Sequence, residues 1–334
     1  MRQGVPVRPS GPALAVVAGV AFVAVVAMFA GGCSDGKRLP TDPGVDLTNT
    51  IDAAPPNPTA DPDYEPKRMP GPAQKPAQFC KTIYPFRNAK FTNPLNINNQ
   101  WAPLIPGTQY TLQGVANRGG GLLAHEVVFT VSDVIKEVNG IPCRVLLDID
   151  YQENKLAEAE LAFFAQDDMG TIWAMGEYPE EFDITSGEFQ GAPSTWIAGI
   201  DGAEAGNWML GDLRAGKTYY SQGHWDPIEF LDCGTVLQTR LNDCVPVGCF
   251  NNVMLVDEYG PFDLAGGHQR KYYAKGVGNI RIAAVNDPEG ETLVMTRRKA
   301  QNPTEMAATR QAVLDLDARG FMFNEEYAKT TPAH

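Results

Sequence analysis

The chain is poor in the residues from which most catalytic centres are built. Its 334 residues hold only four histidines, His125, His224, His268 and His334. Zinc sites gather Cys and His at close spacing, yet there is no Cys-x-x-Cys pair, and His125-Glu126 lacks the second histidine of a zinc-protease helix. From Cys80 onward no Gly-x-Ser-x-Gly elbow occurs, and Ser186-Gly187 reads as a turn. Asn117-Arg118-Gly119-Gly120-Gly121 is glycine-rich but lacks the Lys-Ser/Thr of a phosphate-binding loop, so it reads as a hairpin loop. His224-Trp225-Asp226 and His268 read as surface or turn residues rather than a base with its carboxylate. Positive charge is short as well, with 27 Lys and Arg against 40 Asp and Glu. Phosphate backbones and anionic lipid surfaces repel such a chain, so nucleic acid is not an expected partner.

One strong signal stands at the start. Arg2 and Arg8 precede an apolar run from Ala13 to Ala30, which ends in Gly31-Gly32-Cys33-Ser34. A cationic start, an apolar run and small residues at a junction make an export signal, here residues 1–32. The run's 18 residues approach the length of a membrane span, but its Ala, Val and Gly content and its Gly-Gly-Cys end favour cleavage over an uncleaved anchor. A cysteine just after the junction resembles bacterial lipoprotein signals, in which the thiol takes a diacylglyceryl group and the new amino terminus is acylated. Ala30 departs from the Leu usual in that pattern. The expectation is a lipid on Cys33 as the membrane partner and a location in the cell envelope. Ser34, where inner-membrane retention wants Asp, points to the outer membrane in a Gram-negative host, and otherwise to the outer face of the cytoplasmic membrane. More than one acyl chain is sufficient for stable anchoring.

Composition then changes sharply. Between Ser34 and Gln78 the chain is dominated by Pro, Asp, Thr and Asn, and ten of its 26 prolines lie between Pro40 and Pro76. Such a stretch buries too little apolar surface to offset its ordering entropy, so residues 33–78 read as a lipidated cysteine with an extended tether. From Cys80 to Arg298 short alternating runs rich in Val, Ile, Tyr and Phe are bounded by Gly, Pro, Asn or Asp, the pattern of strands and turns. Asn139-Gly140 is the sharpest hairpin signal.

This region repeats. Pro106-Gly107-Thr108-Gln109-Tyr110 answers Ala215-Gly216-Lys217-Thr218-Tyr219, and Phe163-Phe164-Ala165 answers Tyr272-Tyr273-Ala274, in the same order and 108 or 109 residues apart. The expected fold is all-β: two tandem antiparallel β-meander units, barrel-like or half-barrel, over 79–205 and 206–299. A C-terminal helix near Thr304–Arg319 lies within a last segment of 300–334, with Asn302-Pro303 at its entry and Gly320 closing it.

Val245-Pro246-Val247-Gly248-Cys249-Phe250, followed by Lys271-Tyr272-Tyr273-Ala274-Lys275-Gly276-Val277-Gly278, resembles a V-P-x-G-x-F and YYAPGVG pattern. Bacterial secreted and lipid-anchored β proteins of unassigned function share it. Asn93-Pro94, Trp101-Ala102-Pro103-Leu104 and Phe164-Ala165-Gln166-Asp167 resemble the opening half of the same group. Lys275 stands where that group more often has Pro. The resemblance implies a β fold and brings no catalytic residues.

The remaining candidates are few. Beyond Cys33, five cysteines (Cys80, Cys143, Cys233, Cys244 and Cys249) are odd in number, so at least one is unpaired in an oxidising compartment. A bridge from Cys244 to Cys249 across a turn is the first expectation. Asp148, Asp150 and Glu153 fall near one another, but the first two lie in a strand pattern. The loop at Asp167 and Asp168 is the better calcium candidate, although hydration and turn-capping explain it as well. No other cofactor is expected. Trp173, Trp196, Trp208 and Tyr272 are picked as lining a ligand cavity, against ordinary strand packing, because curled meanders often enclose one. These readings favour an envelope binding or interaction module for an apolar small molecule or a partner protein. The alternative is an envelope hydrolase or metal-assisted enzyme.

Overall fold

The computed structural model describes residues 80, 84–118, 120–213, 219–263 and 266–334. The export signal, Cys33 and the tether lie outside the described residues, as does most of the 215–219 partner of the first repeat match. The strands are β1 Thr108–Asn117, β2 Leu122–Val138, β3 Ile141–Gln152, β4 Lys155–Gln166, β5 Ile172–Phe182, β6 Phe189–Gly191 and β7 Trp196–Ile197. They continue with β8 Glu204–Met209, β9 Tyr220–Trp225, β10 Phe230–Val245, β11 Gly248–Tyr259, β12 His268–Ala274, β13 Gly278–Val285 and β14 Thr292–Ala300. One helix, α1, spans Pro303–Phe323.

Twelve strands close an antiparallel barrel. Around the wall the order is β4-β3-β2-β1-β14-β13-β12-β11-β10-β9-β8-β5, and β5 pairs back onto β4. β6 and β7 are short additions to β5. The two meanders are therefore two arcs of one wall. The first runs from β1 to β5 and the second from β8 to β14, joined where β5 pairs β8 and β1 pairs β14. The expected division at residues 205 and 206 falls inside β8. Closure explains why neither arc stands alone: each would leave two unpaired edges, and a closed barrel leaves none. The longest strands begin at Leu122 and Phe230, 108 residues apart, and each turns back into the next strand of its hairpin. The β2–β3 turn places Asn139 at φ 51° and Gly140 at φ 75°, the left-handed pair that a two-residue hairpin requires.

Helix α1 lies outside the barrel against β2, β3 and β4. It starts at a capping box in which the Asn302 side chain accepts from the Thr304 and Glu305 amides, while Glu305 reaches back to the Asn302 amide. It runs one turn past the expected end, because Gly320 sits within the helix. A Cβ there would lie 2.4 Å from a Tyr327 ring carbon, so this glycine makes room for a ring. The tail then folds back, and Ile135 and His334 exchange backbone hydrogen bonds of 2.9 and 3.0 Å.

The helix also identifies the faces of the wall. Phe163 and Tyr178 pack on Tyr327 with ring centroids 6.2 and 4.6 Å away, so they face outward. Successive strand residues alternate sides, which turns Glu158, Glu160, Ala162 and Phe164 of β4 inward. At the end of the barrel where β1 begins, residues 97–104 cross the opening. Asn99 N–H donates to Gln166 Oε1 at 2.8 Å and Gly276 N–H to the Gln100 carbonyl at 2.7 Å. This segment caps that end.

Candidate functional site: an apolar cavity over an acidic layer

Beneath the cap lies a cavity of about 670 Å³, its open mouth included. Its walls come from strands far apart in sequence: Tyr110 on β1, Phe129 on β2, Leu146 on β3, Ala162 and Phe164 on β4, Trp208 on β8, Tyr273 on β12 and Ile282 on β13. Ala102, Pro103 and Leu104 of the cap complete it. Phe164 and Trp208 pack with ring centroids 4.6 Å apart. The Trp208 indole nitrogen is buried with no hydrogen-bond partner among the described residues. A buried indole N–H ordinarily finds an acceptor, so this wall offers an unmet donor.

One layer deeper the chemistry reverses. Asp148 follows Leu146 two positions along β3, and Glu160 precedes Ala162 by two along β4, so both share the inward face. Asp148 pairs with Glu160 across the ladder, Phe129 with Asp148, and Ala162 with Glu177 of β5. Asp148, Glu160 and Glu177 are all buried. Both oxygens of Asp148 and one of Glu160 meet no donor among the described residues. Burial pushes all three carboxyls well above the usual carboxylate range, and neighbouring carboxylates add to the effect. Lys271, which reaches the cavity from β12, is paired at 2.7 Å with Glu258.

Charge is better matched at the far end. Arg118 Nη2 lies 3.3 Å from Asp150 Oδ2, and His125 Nε2 lies 3.1 Å from Glu291 Oε1. Burial pushes Asp150 up to about 6, although His125 and Arg118 pull the other way. For His125 and Glu291 burial opposes charge on both. Their mutual contact outweighs it, holding His125 above and Glu291 below its ordinary value.

Of the four aromatics expected to line a cavity, Trp208 does. Trp173 faces outward, packing on Phe86 at 5.3 Å and Phe91 at 6.3 Å and donating its indole N–H to Asp167. Trp196 is buried against Phe230 at 4.8 Å beside β5. Tyr272 points away from the lumen, and its neighbour Tyr273 takes the wall position. Adjacent strand residues face opposite sides, so choosing the wrong member of a Tyr-Tyr pair selects the wrong face.

Asp167 and Asp168 serve the turn after β4. Asp167 Oδ1 accepts from the Met169 and Thr171 amides at 2.9 Å each, and Asp168 accepts from the Thr92 amide and hydroxyl at 2.9 and 2.8 Å. Among the described residues no group of three or more His, Cys, Asp or Glu is arranged to hold a metal ion. His224 does meet Asp226, at 3.0 Å, on the outer rim. His268 meets Asp257 at 2.7 Å and stacks on Tyr259. Cys244 and Cys249 are bonded across the end of the β10–β11 hairpin, Cys80 is bonded to Cys233, and Cys143 is a buried free thiol.

No family model matches the chain, and no relative is found among curated proteins. Two solved structures are distantly similar. One is a Bacteroides fragilis protein of YmcC-like fold, thought to be exported. It is 13% identical over 60% of this chain and 99% of that one, with a TM-score of 0.34. The other is a Parabacteroides distasonis protein thought to be a lipoprotein. It is 15% identical over 59% of this chain and 97% of that one, with a TM-score of 0.26. Likeness of this degree says nothing about what the chain binds.

Proposed function

We propose that this chain is a lipid-anchored envelope protein whose barrel holds an apolar molecule beneath the cap. The observation that carries the binding reading is the cavity. Its lining is aromatic and aliphatic with few polar groups, as in small-molecule sites. The envelope reading rests on the leader and Cys33. It is supported by two disulfide bonds, which persist in oxidising compartments.

Native mass spectrometry of the protein purified from its own cells tests the binding reading. The expected spectrum shows a bound apolar species that is lost when Ala162→Phe fills the cavity. A mass equal to the bare polypeptide and its anchor in both forms contradicts it. For the anchor, Cys33→Ser should move the protein from the membrane to the soluble fraction. Unchanged fractionation contradicts the lipid reading.

A further inference from the structure

Resting on the cavity reading, we infer that the molecule held in the barrel is a single-chain amphiphile with a primary ammonium head, its apolar body against Phe129, Phe164 and Trp208 and its head among Asp148, Glu160 and Glu177. The two layers are in register. Leu146 and Ala162 belong to the cavity wall, and Asp148 and Glu160 lie two residues further along the same inward faces, about 7 Å away along each strand. Asp148 and Glu160 are thus the next inward-facing side chains beyond the cavity wall, and a ligand with its body in the cavity points its inner end toward them.

The choice of head follows from what those carboxyls lack. Asp148 is 1% exposed, and neither of its oxygens meets a donor among the described residues. Glu160, at 3%, presents one more unmet oxygen. Buried acceptors left unpaired are costly, so a group that supplies donors here is favoured. An ammonium carries three N–H donors and no acceptor, and the ladder sets Asp148 opposite Glu160 and Glu177 opposite Ala162 on neighbouring inward positions. Its positive charge also suits a site where acids outnumber bases. The Lys271 ammonium is already turned to Glu258 at 2.7 Å, so a carboxylate head gains no ready counter-charge and meets the acidic layer instead. A hydroxyl head offers one donor and no charge.

Calorimetric titration of the purified full chain with dodecylamine, 1-dodecanol and dodecanoate, each below its aggregation limit, separates the two readings. The amine should bind at least about tenfold more tightly than the alcohol, and the alcohol more tightly than the carboxylate. Asp148→Asn combined with Glu160→Gln keeps the shape of both side chains and should bring amine and alcohol within about twofold. Should that variant not fold, Glu177→Gln alone should at least halve the preference. Alcohol binding equal to or tighter than amine, or a preference that survives these substitutions, overturns the ammonium inference and leaves the apolar cavity standing. No binding of any of the three overturns the cavity reading and the inference with it.

Discussion

Asp148 and Glu160 stand directly opposite one another on β3 and β4, inside the barrel and buried. Like charges across a ladder destabilise it, and burial pushes both carboxyls well above their usual range. Buried acids of this kind make stability depend on pH. Asp150, ordinarily near 3.8, is pushed up to about 6, and burial lifts Glu181 to about 7. The folded chain then holds protons that the unfolded chain has released. That stability is fully present below about pH 4 and is lost as pH rises through 6 and 7. His125 adds to the same trend, since its raised value makes its contribution fade above neutrality, whereas Glu291 contributes only above the acid limit. For Asp150 alone the change is on the order of 3 kcal/mol. Urea unfolding of the ligand-free protein should show greater stability at pH 5 than at pH 8. Equal midpoints, or the reverse order, contradict the account.

Lys136 and Asp317 tie the helix to the barrel. The ammonium is buried, donates to Asp317 Oδ1 at 2.7 Å and lies 4.2 Å from the centre of the Tyr327 ring. Asp317 also accepts from the Tyr327 hydroxyl and the Ala333 amide, at 2.6 and 3.0 Å. Asp317→Ala strands a buried charge and should cost about 3–5 kcal/mol, most of it recovered by adding Lys136→Met. A loss below about 1 kcal/mol in denaturant titration speaks against this coupling.

The two disulfides close loops of very different length, with sequence separations of 153 and 5 residues. Chain entropy alone predicts about 5 kcal/mol for Cys80–Cys233 and about 2 for Cys244–Cys249. Replacing each pair by alanine and comparing unfolding free energies checks the ranking. An equal or inverted ranking contradicts it.

Ala162 lies on the cavity wall with its side chain inward. Ala162→Phe should abolish 1-dodecanol binding at a stability cost of no more than about 1–3 kcal/mol, the usual range for overfilling. Retained binding with an unchanged circular dichroism spectrum removes the cavity from the account.

The sequence carried the strands, the Asn139-Gly140 hairpin and the terminal helix, because turn residues and period-two alternation are local signals. It did not carry the inside of the barrel. In Leu147-Asp148-Ile149-Asp150-Tyr151 the alternation is plain, but alternation alone does not say which face is enclosed. A polar face ordinarily looks to solvent, and here it looks into the lumen while helix α1 covers part of the outer wall. The same ambiguity hides which of Tyr272 and Tyr273 faces the lumen. Trp173 and Trp196 went to packing because the segment before β1 and the excursion after β5 supply covers that no local pattern announces. The cavity itself needs closure between β4 and β5 and between β1 and β14. Those pairings are known only once the chain is folded.

The most direct measurement is a crystal structure of the protein soaked with an ω-bromoalkylamine, whose anomalous signal locates the chain end. The account places the bromine beneath the cap, between Phe129, Phe164 and Trp208, with the amine toward Asp148 and Glu160. Bromine confined to the outer surface, or absent from a lumen whose cavity is open, contradicts it.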